Sequence, residues 1–219
     1  FLNTDTRLIV KYDEQERRVE LRRGEALFNV AKRGDWPFVV VVSDRQVRAL
    51  GTSFVVRKDA GKLAVTLMEG SVLVTPGPSA KNDAAPAIIA APEAISQTPA
   101  VPAAVRNQVG EFKLTAGQRL TFSNDADIHL DMPSVERTTA WRRGQVILDD
   151  TPLRTAAAEM NRYNETKLVV QEPEAAALLI NGLFQAGDST HFANAVAQSY
   201  GLTVTERGDQ IVISGRPIH

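Results

Sequence analysis

Turn-forming residues recur at short intervals through the first third of the chain: Asp13-Glu14, Arg23-Gly24, Gly34-Asp35, Ser43-Asp44, Ala60-Gly61 and Glu69-Gly70. That cadence leaves room for strands and none for helices of ordinary length. Between the turns, polar and apolar side chains alternate, as in Arg17-Arg18-Val19-Glu20-Leu21 and Leu63-Ala64-Val65-Thr66-Leu67. Alternation is the mark of a strand with one wet face and one buried face. Val39 to Val42 is an unbroken apolar run, which predicts a strand covered on both faces. Residues 7–75 are therefore expected to be β-rich. A sandwich, a barrel and a β-solenoid all share this pattern.

The composition changes at residue 76. Pro76, Pro78, Pro86, Pro92, Pro99 and Pro102 lie among alanines without periodicity, so the stretch 76–108 cannot bury enough surface to offset the entropy of ordering. A disordered insertion is expected there. Strands resume over 112–123 around Ala116-Gly117, so residues 1–131 form one β-rich domain interrupted by that insertion. Residues 132–140 read as a linker.

From Trp141 the pattern becomes mixed. Val146-Ile147-Leu148 reads as a strand. Asp149-Asp150-Thr151-Pro152 reads as a capped helix start with proline in the first turn. Leu153, Ala156, Ala157, Met160 and Tyr163 follow at helical spacing, and Lys167 to Val170 is a strand. A second unit repeats this: Asp188-Ser189-Thr190 can cap a helix whose apolar face is Phe192, Ala195, Val196, Ser199 and Tyr200, and Gly201 ends it. Strands are expected at 180–184, 202–205 and 210–213. The expectation for 141–213 is a small α/β domain of split βαβ type, with 214–219 a tail.

Charge and composition exclude several classes. The 219 residues carry a formal charge of −1, so there is no basic field for nucleic acid. Cysteine is absent, which removes disulfides and thiolate metal sites. No run of about 18 apolar residues is available to span a bilayer. The chain starts at Phe1 rather than Met, and is expected to be part of a longer protein. It has no HExxH, GxSxG or P-loop pattern, so no multiple-turnover enzyme and no cofactor is expected.

Several stretches resemble the FecR domain of periplasmic anti-sigma regulators: Arg23-Gly24-Glu25-Ala26-Leu27-Phe28-Asn29-Val30, Pro37-Phe38-Val39-Val40, Leu50-Gly51-Thr52-Ser53-Phe54-Val55-Val56 and Met68-Glu69-Gly70-Ser71-Val72. Leu114-Thr115-Ala116-Gly117-Gln118 resembles the return strand of the same domain. Trp141-Arg142-Arg143-Gly144-Gln145, Pro152-Leu153, Asn161-Arg162-Tyr163 and Gly182-Leu183-Phe184 are similar to the family's C-terminal signature, itself similar to the short N-terminal domain of secretins and TonB-dependent receptors. The resemblance implies the periplasmic part of a single-pass inner-membrane protein of a Gram-negative bacterium. Its implied partners are the signalling domain of an outer-membrane TonB-dependent receptor, as in iron uptake, and periplasmic and intramembrane proteases. An extracytoplasmic-function sigma factor would be bound by a segment upstream of Phe1. A structural assembly module related to secretin domains is the alternative.

The candidate reactive site is Gly51-Thr52. In one reading this is a bulge between two strands. In the other, implied by the resemblance, the Thr52 hydroxyl attacks the Gly51 carbonyl and the chain cuts itself once, by an N-to-O acyl shift. Backbone strain of about 1–3 kcal/mol is worth at most about a hundredfold in rate, so a base or an oxyanion donor would have to assist. Asp125, Asp127, His129 and Asp131 alternate along a strand and could in principle meet a divalent ion. A solvated polar face explains them better, and no metal is expected. Trp141 is expected in a core, Arg154 and Arg162 flank the first helical stripe, and 180–184 or 210–213 could form a sheet edge.

Overall fold

The computed structural model describes residues 1–59, 61–77, 110–123 and 127–216. They form two compact units, Phe1–Val135 and Glu136–His219. The expected disorder of 76–108 falls almost wholly outside the described residues, as does Asp125.

The first unit is one ten-stranded sheet. Its strands are β1 (Arg7–Tyr12), β2 (Arg17–Asn29), β3 (Phe38–Val42), β4 (Arg45–Ala49), β5 (Ser53–Asp59), β6 (Lys62–Glu69), β7 (Ser71–Pro76), β8 (Phe112–Thr115), β9 (Arg119–Ser123) and β10 (Ile128–Asp131). The order across the sheet is β10-β9-β6-β5-β2-β3-β4-β7-β8, with β1 also paired to β2. Strand β2 explains the shape. Its first part pairs antiparallel with β1 and parallel with β3, and its last part, Gly24 to Asn29, pairs antiparallel with β5. One strand thus belongs to both halves of the sheet, which curls into a half-barrel instead of stacking as two separate layers.

Arg23-Gly24 is accordingly not a chain reversal. Gly24 has φ +87° inside a continuous 13-residue strand, and the left-handed residue bends the strand without ending its pairing. Glu69-Gly70 is not a hairpin either, because β6 pairs with β5 and β9 while β7 pairs with β4 and β8. The chain passes between the two halves at Gly24, between β4 and β5, between β6 and β7, and between β8 and β9. The glycines at these four crossings have φ of +87°, +78°, +87° and +89°.

Both halves feed one core. Val19, Val40, Val47 and Val74 come from one, and Phe54, Val56, Val65 and Leu120 from the other. Full burial of each such side chain contributes roughly 1.5–3 kcal/mol before the entropy of ordering is subtracted. The apolar run Val39–Val42 lies in β3, where Val39, Val40 and Val42 are buried and Val41 is half-buried. Phe28, Phe38 and Phe54 cluster beside it, with Phe28 5.4 Å from Phe38 and 5.3 Å from Phe54 between ring centroids.

A short helix α1 (Val135–Thr139) lies in the stretch 132–140 read as a linker, and a 3₁₀ turn at Ala140–Arg143 follows it. The second unit continues with β11 (Gln145–Pro152), α2 (Leu153–Met160), β12 (Lys167–Val170), α3 (Pro173–Ala176), β13 (Leu179–Gln185), α4 (Ser189–Tyr200), β14 (Thr203–Arg207) and β15 (Gln210–Ser214). Strands β11 and β13 form an antiparallel pair, and β15 lies between β12, to which it is parallel, and β14, to which it is antiparallel. Leu153, Met160, Phe192, Ile211 and Ile213 fill the core. Asp188 caps α4 through its carboxylate, which accepts from the His191 amide at 2.9 Å, and Gly201 closes it at φ +68°.

Asp149-Asp150-Thr151-Pro152 departs from its reading. These residues finish β11, and α2 begins at Leu153 with Pro152 at the N-cap and no side-chain cap. The Thr151 hydroxyl instead bonds the Asp149 backbone, and the Leu153 amide donates to the Leu178 carbonyl at 2.8 Å. The cap's work is done by a neighbouring turn, which a local motif cannot reveal. The segment 210–213 is a central strand, not an edge; among the described residues β13 pairs with β11 alone.

Candidate functional site

Leu50, Gly51 and Thr52 connect β4 to β5 and so carry the chain from one half of the curled sheet to the other. Gly51 has φ +78°, a region that costs a residue with a Cβ about 1–2 kcal/mol. Space demands glycine as well. A Cβ at Gly51 would stand 2.8 Å from Lys32 Cβ and 3.1 Å from Lys32 Cα. Another crossing, at Gly70, runs alongside. A Cβ there would meet Thr52 Cγ2 at 2.7 Å and the Gly51 carbonyl oxygen at 3.1 Å.

Thr52 is held on several sides. It is only 5% exposed. Its carbonyl accepts from the Val30 amide at 2.9 Å. The next residue, Ser53, donates its hydroxyl to Asn29 Oδ1 at 2.7 Å. The pairing of β5 with β6 slips between Ser53 and Phe54, where Met68 is the extra residue on β6, so Gly51 and Thr52 lie outside that bulge.

The hydroxyl is the exception. Thr52 Oγ1 is buried and has no hydrogen-bond partner. An unbonded buried hydroxyl costs about 1–3 kcal/mol, and such groups are uncommon enough to need a reason. Thr75 Oγ1, Trp141 Nε1 and Ser189 Oγ share the condition, but of these four residues Thr52 alone follows a glycine of positive φ. What Thr52 offers chemically is a desolvated oxygen, next in sequence to a peptide carbonyl, on a backbone pinned at both neighbours. The sequence marked Gly51-Thr52 but not Lys32 or Gly70. Their part depends on which strands cross, and no local signal carries that.

Other candidates resolve differently. Asp131 forms a bidentate ion pair with Arg119, Nε to Oδ1 at 2.9 Å, and no metal-binding group of three carboxylates or histidines exists among the described residues. Arg162 is mostly buried, donates to Glu159 at 2.8 Å and lies 5.7 Å from the Tyr163 ring centroid, so it serves its own fold. Asn161 beside it is likewise structural: its side chain accepts from the Leu168 amide at 2.7 Å and donates to the Leu168 carbonyl at 2.9 Å, tying α2 to β12. Arg154 is exposed and Trp141 half-buried.

A curled β module with glycine corners thus carries the site. Residues 1–73 match the model of the FecR protein family. The matched stretch includes Gly51-Thr52 and Gly70. Two crystal structures of a candidate anti-sigma factor from Parabacteroides distasonis ATCC 8503 have the same fold, at TM-scores of 0.71 and 0.69. Each is 21% identical and covers 97% of this chain, and the match extends over 88% and 87% of theirs. No curated protein matches the sequence.

Proposed function

We propose that this chain is the periplasmic sensor region of a transmembrane anti-sigma regulator. A sigma factor is the partner of the whole protein. The signalling domain of an outer-membrane TonB-dependent receptor supplies the input to residues 141–213. The observation that carries the reading is the FecR match over residues 1–73, and the fold shared with the Parabacteroides protein supports it. No helix among the described residues is long and apolar enough to cross a membrane, so the anchor in this proposal lies outside them.

We further propose a single self-cleavage at Gly51-Thr52. Thr52 Oγ1 attacks the Gly51 carbonyl carbon and the C–N bond between the two residues breaks. The hydroxyl proton ends on the Thr52 nitrogen, leaving an ester from Gly51 to Thr52 Oγ1. One water then splits that ester into the Gly51 carboxylate and a free Thr52 hydroxyl. The orphaned oxygen favours this reading, since attack breaks no existing hydrogen bond of the nucleophile.

Two experiments test the proposal. Calorimetric titration with a receptor signalling domain should show saturable binding, and a flat titration with every receptor domain from the same organism would sink the receptor arm. Denaturing intact-mass analysis should show fragments 1–51 and 52–219 in the wild type and not in T52A. An intact wild type leaves a sensor that is not cut at this bond.

A further inference from the structure

Gly70 lies on a different crossing of the sheet, and it touches both groups of the proposed reaction. Its missing Cβ would fall 2.7 Å from Thr52 Cγ2, 3.3 Å from Thr52 Cβ and 3.1 Å from the Gly51 carbonyl oxygen. The first distance is too short for any real carbon pair, and the third is tighter than most. A threonine has few χ1 states because its β-carbon is branched. Where Cγ2 sits therefore decides where Oγ1 points. The hollow at Gly70 receives Cγ2, and the hydroxyl is left in the position where it finds no partner.

We infer that Gly70 is a positioning residue: its bare α-carbon seats the Thr52 methyl, fixes the Thr52 rotamer and leaves room for the Gly51 carbonyl. The inference rests on the self-cleavage reading for its catalytic consequence, but the contact itself does not. Nothing in the local sequence assigns this role, because Gly-Ser after a strand reads as an ordinary turn.

The backbone at Gly70 has φ +87°, so G70A carries a conformational cost unrelated to Thr52. A double-mutant cycle with T52S separates the two, since T52S keeps the hydroxyl and removes Cγ2. Four full-length proteins are compared: wild type, G70A, T52S and G70A/T52S. Each is followed by the rate of appearance of fragment 52–219 and by the urea midpoint. G70A should slow cleavage at least tenfold in the wild-type background and several-fold less in the T52S background. Its loss of urea midpoint should likewise be smaller with T52S. An unchanged cleavage rate in G70A, or an equal effect in both backgrounds, overturns the inference and leaves Gly70 as a corner glycine. If none of the four proteins is cut, self-cleavage is wrong, and the urea midpoints alone decide whether Gly70 seats the Thr52 methyl.

Discussion

Two corners of the curled sheet use the same backbone device with opposite results. At Gly117, between β8 and β9, φ is +89°, and the amides of Thr115, Gly117 and Gln118 all have acceptors. The Gly117 amide donates to the Leu67 carbonyl at 2.8 Å, and the Leu67 amide donates to the Gln118 carbonyl at 2.9 Å. The Gln118 side chain accepts from the Thr115 amide at 2.9 Å. Among the described residues, a Cβ at Gly117 would touch only Met132 Cε, at an ordinary 3.4 Å. At Gly51 the same left-handed turn is crowded by Lys32 and followed by a buried hydroxyl with no partner. Positive φ is therefore the common way of carrying this chain from one half of the sheet to the other, and does not by itself mark a site. What distinguishes Gly51-Thr52 is crowding together with an unsatisfied hydroxyl.

That contrast can be broken in several ways. The largest expected effect is on cleavage. T52V keeps the shape and removes the oxygen, so fragment formation should fall at least a hundredfold over days of incubation; a cut T52V protein would mean another nucleophile. The same substitution removes a buried orphan and should raise stability by about 1 kcal/mol, read as a higher urea midpoint than that of wild-type protein still uncut.

Next in size is the crowded glycine. In the uncut T52V background, G51A should destabilise by roughly 3 kcal/mol, from left-handed strain plus overpacking against Lys32. G117A should lose only the backbone part, about 1 kcal/mol. Equal losses would show that Lys32 yields freely and that the two corners are alike. The smallest effect belongs to Q118A, which removes one exposed side-chain bond to the Thr115 amide. It should cost about 0.5 kcal/mol in the same urea assay, and a loss comparable to that of G51A would show that the relaxed corner is as finely balanced as the strained one.

The strands themselves were legible in the sequence because alternation and turn residues are local. The strand read at Val39–Val42 and the α4 cap at Asp188 fell where their residues predict. Pairing was not legible. Arg23-Gly24 and Glu69-Gly70 announce a left-handed residue, and such a residue serves a reversal and a bend equally well. Only the partner strands decide, and they come from distant parts of the chain. The same limit hid the site's surroundings. Gly51-Thr52 stood out as a dipeptide, but the empty space at Gly70 and the orphaned Thr52 oxygen exist only once β4–β5 and β6–β7 cross side by side. Asp149–Pro152 failed for a related reason, since the Leu178 carbonyl satisfies the amide that a cap would have served.

The long bent strand β2 gives a cut at residue 51 a mechanical meaning. The N-terminal piece would hold β1 to β4 and the C-terminal piece everything after, yet β2 pairs with β5 and β4 pairs with β7 across the division. A severed molecule would keep its sheet, but tension applied between its two ends would pass through strand pairing and the shared core instead of through the chain. Self-cleavage would turn a continuous tether into a releasable coupling that holds at rest and parts under load. Single-molecule stretching distinguishes the two: T52V tethers should unfold and refold repeatedly, and cut tethers should separate once and not return.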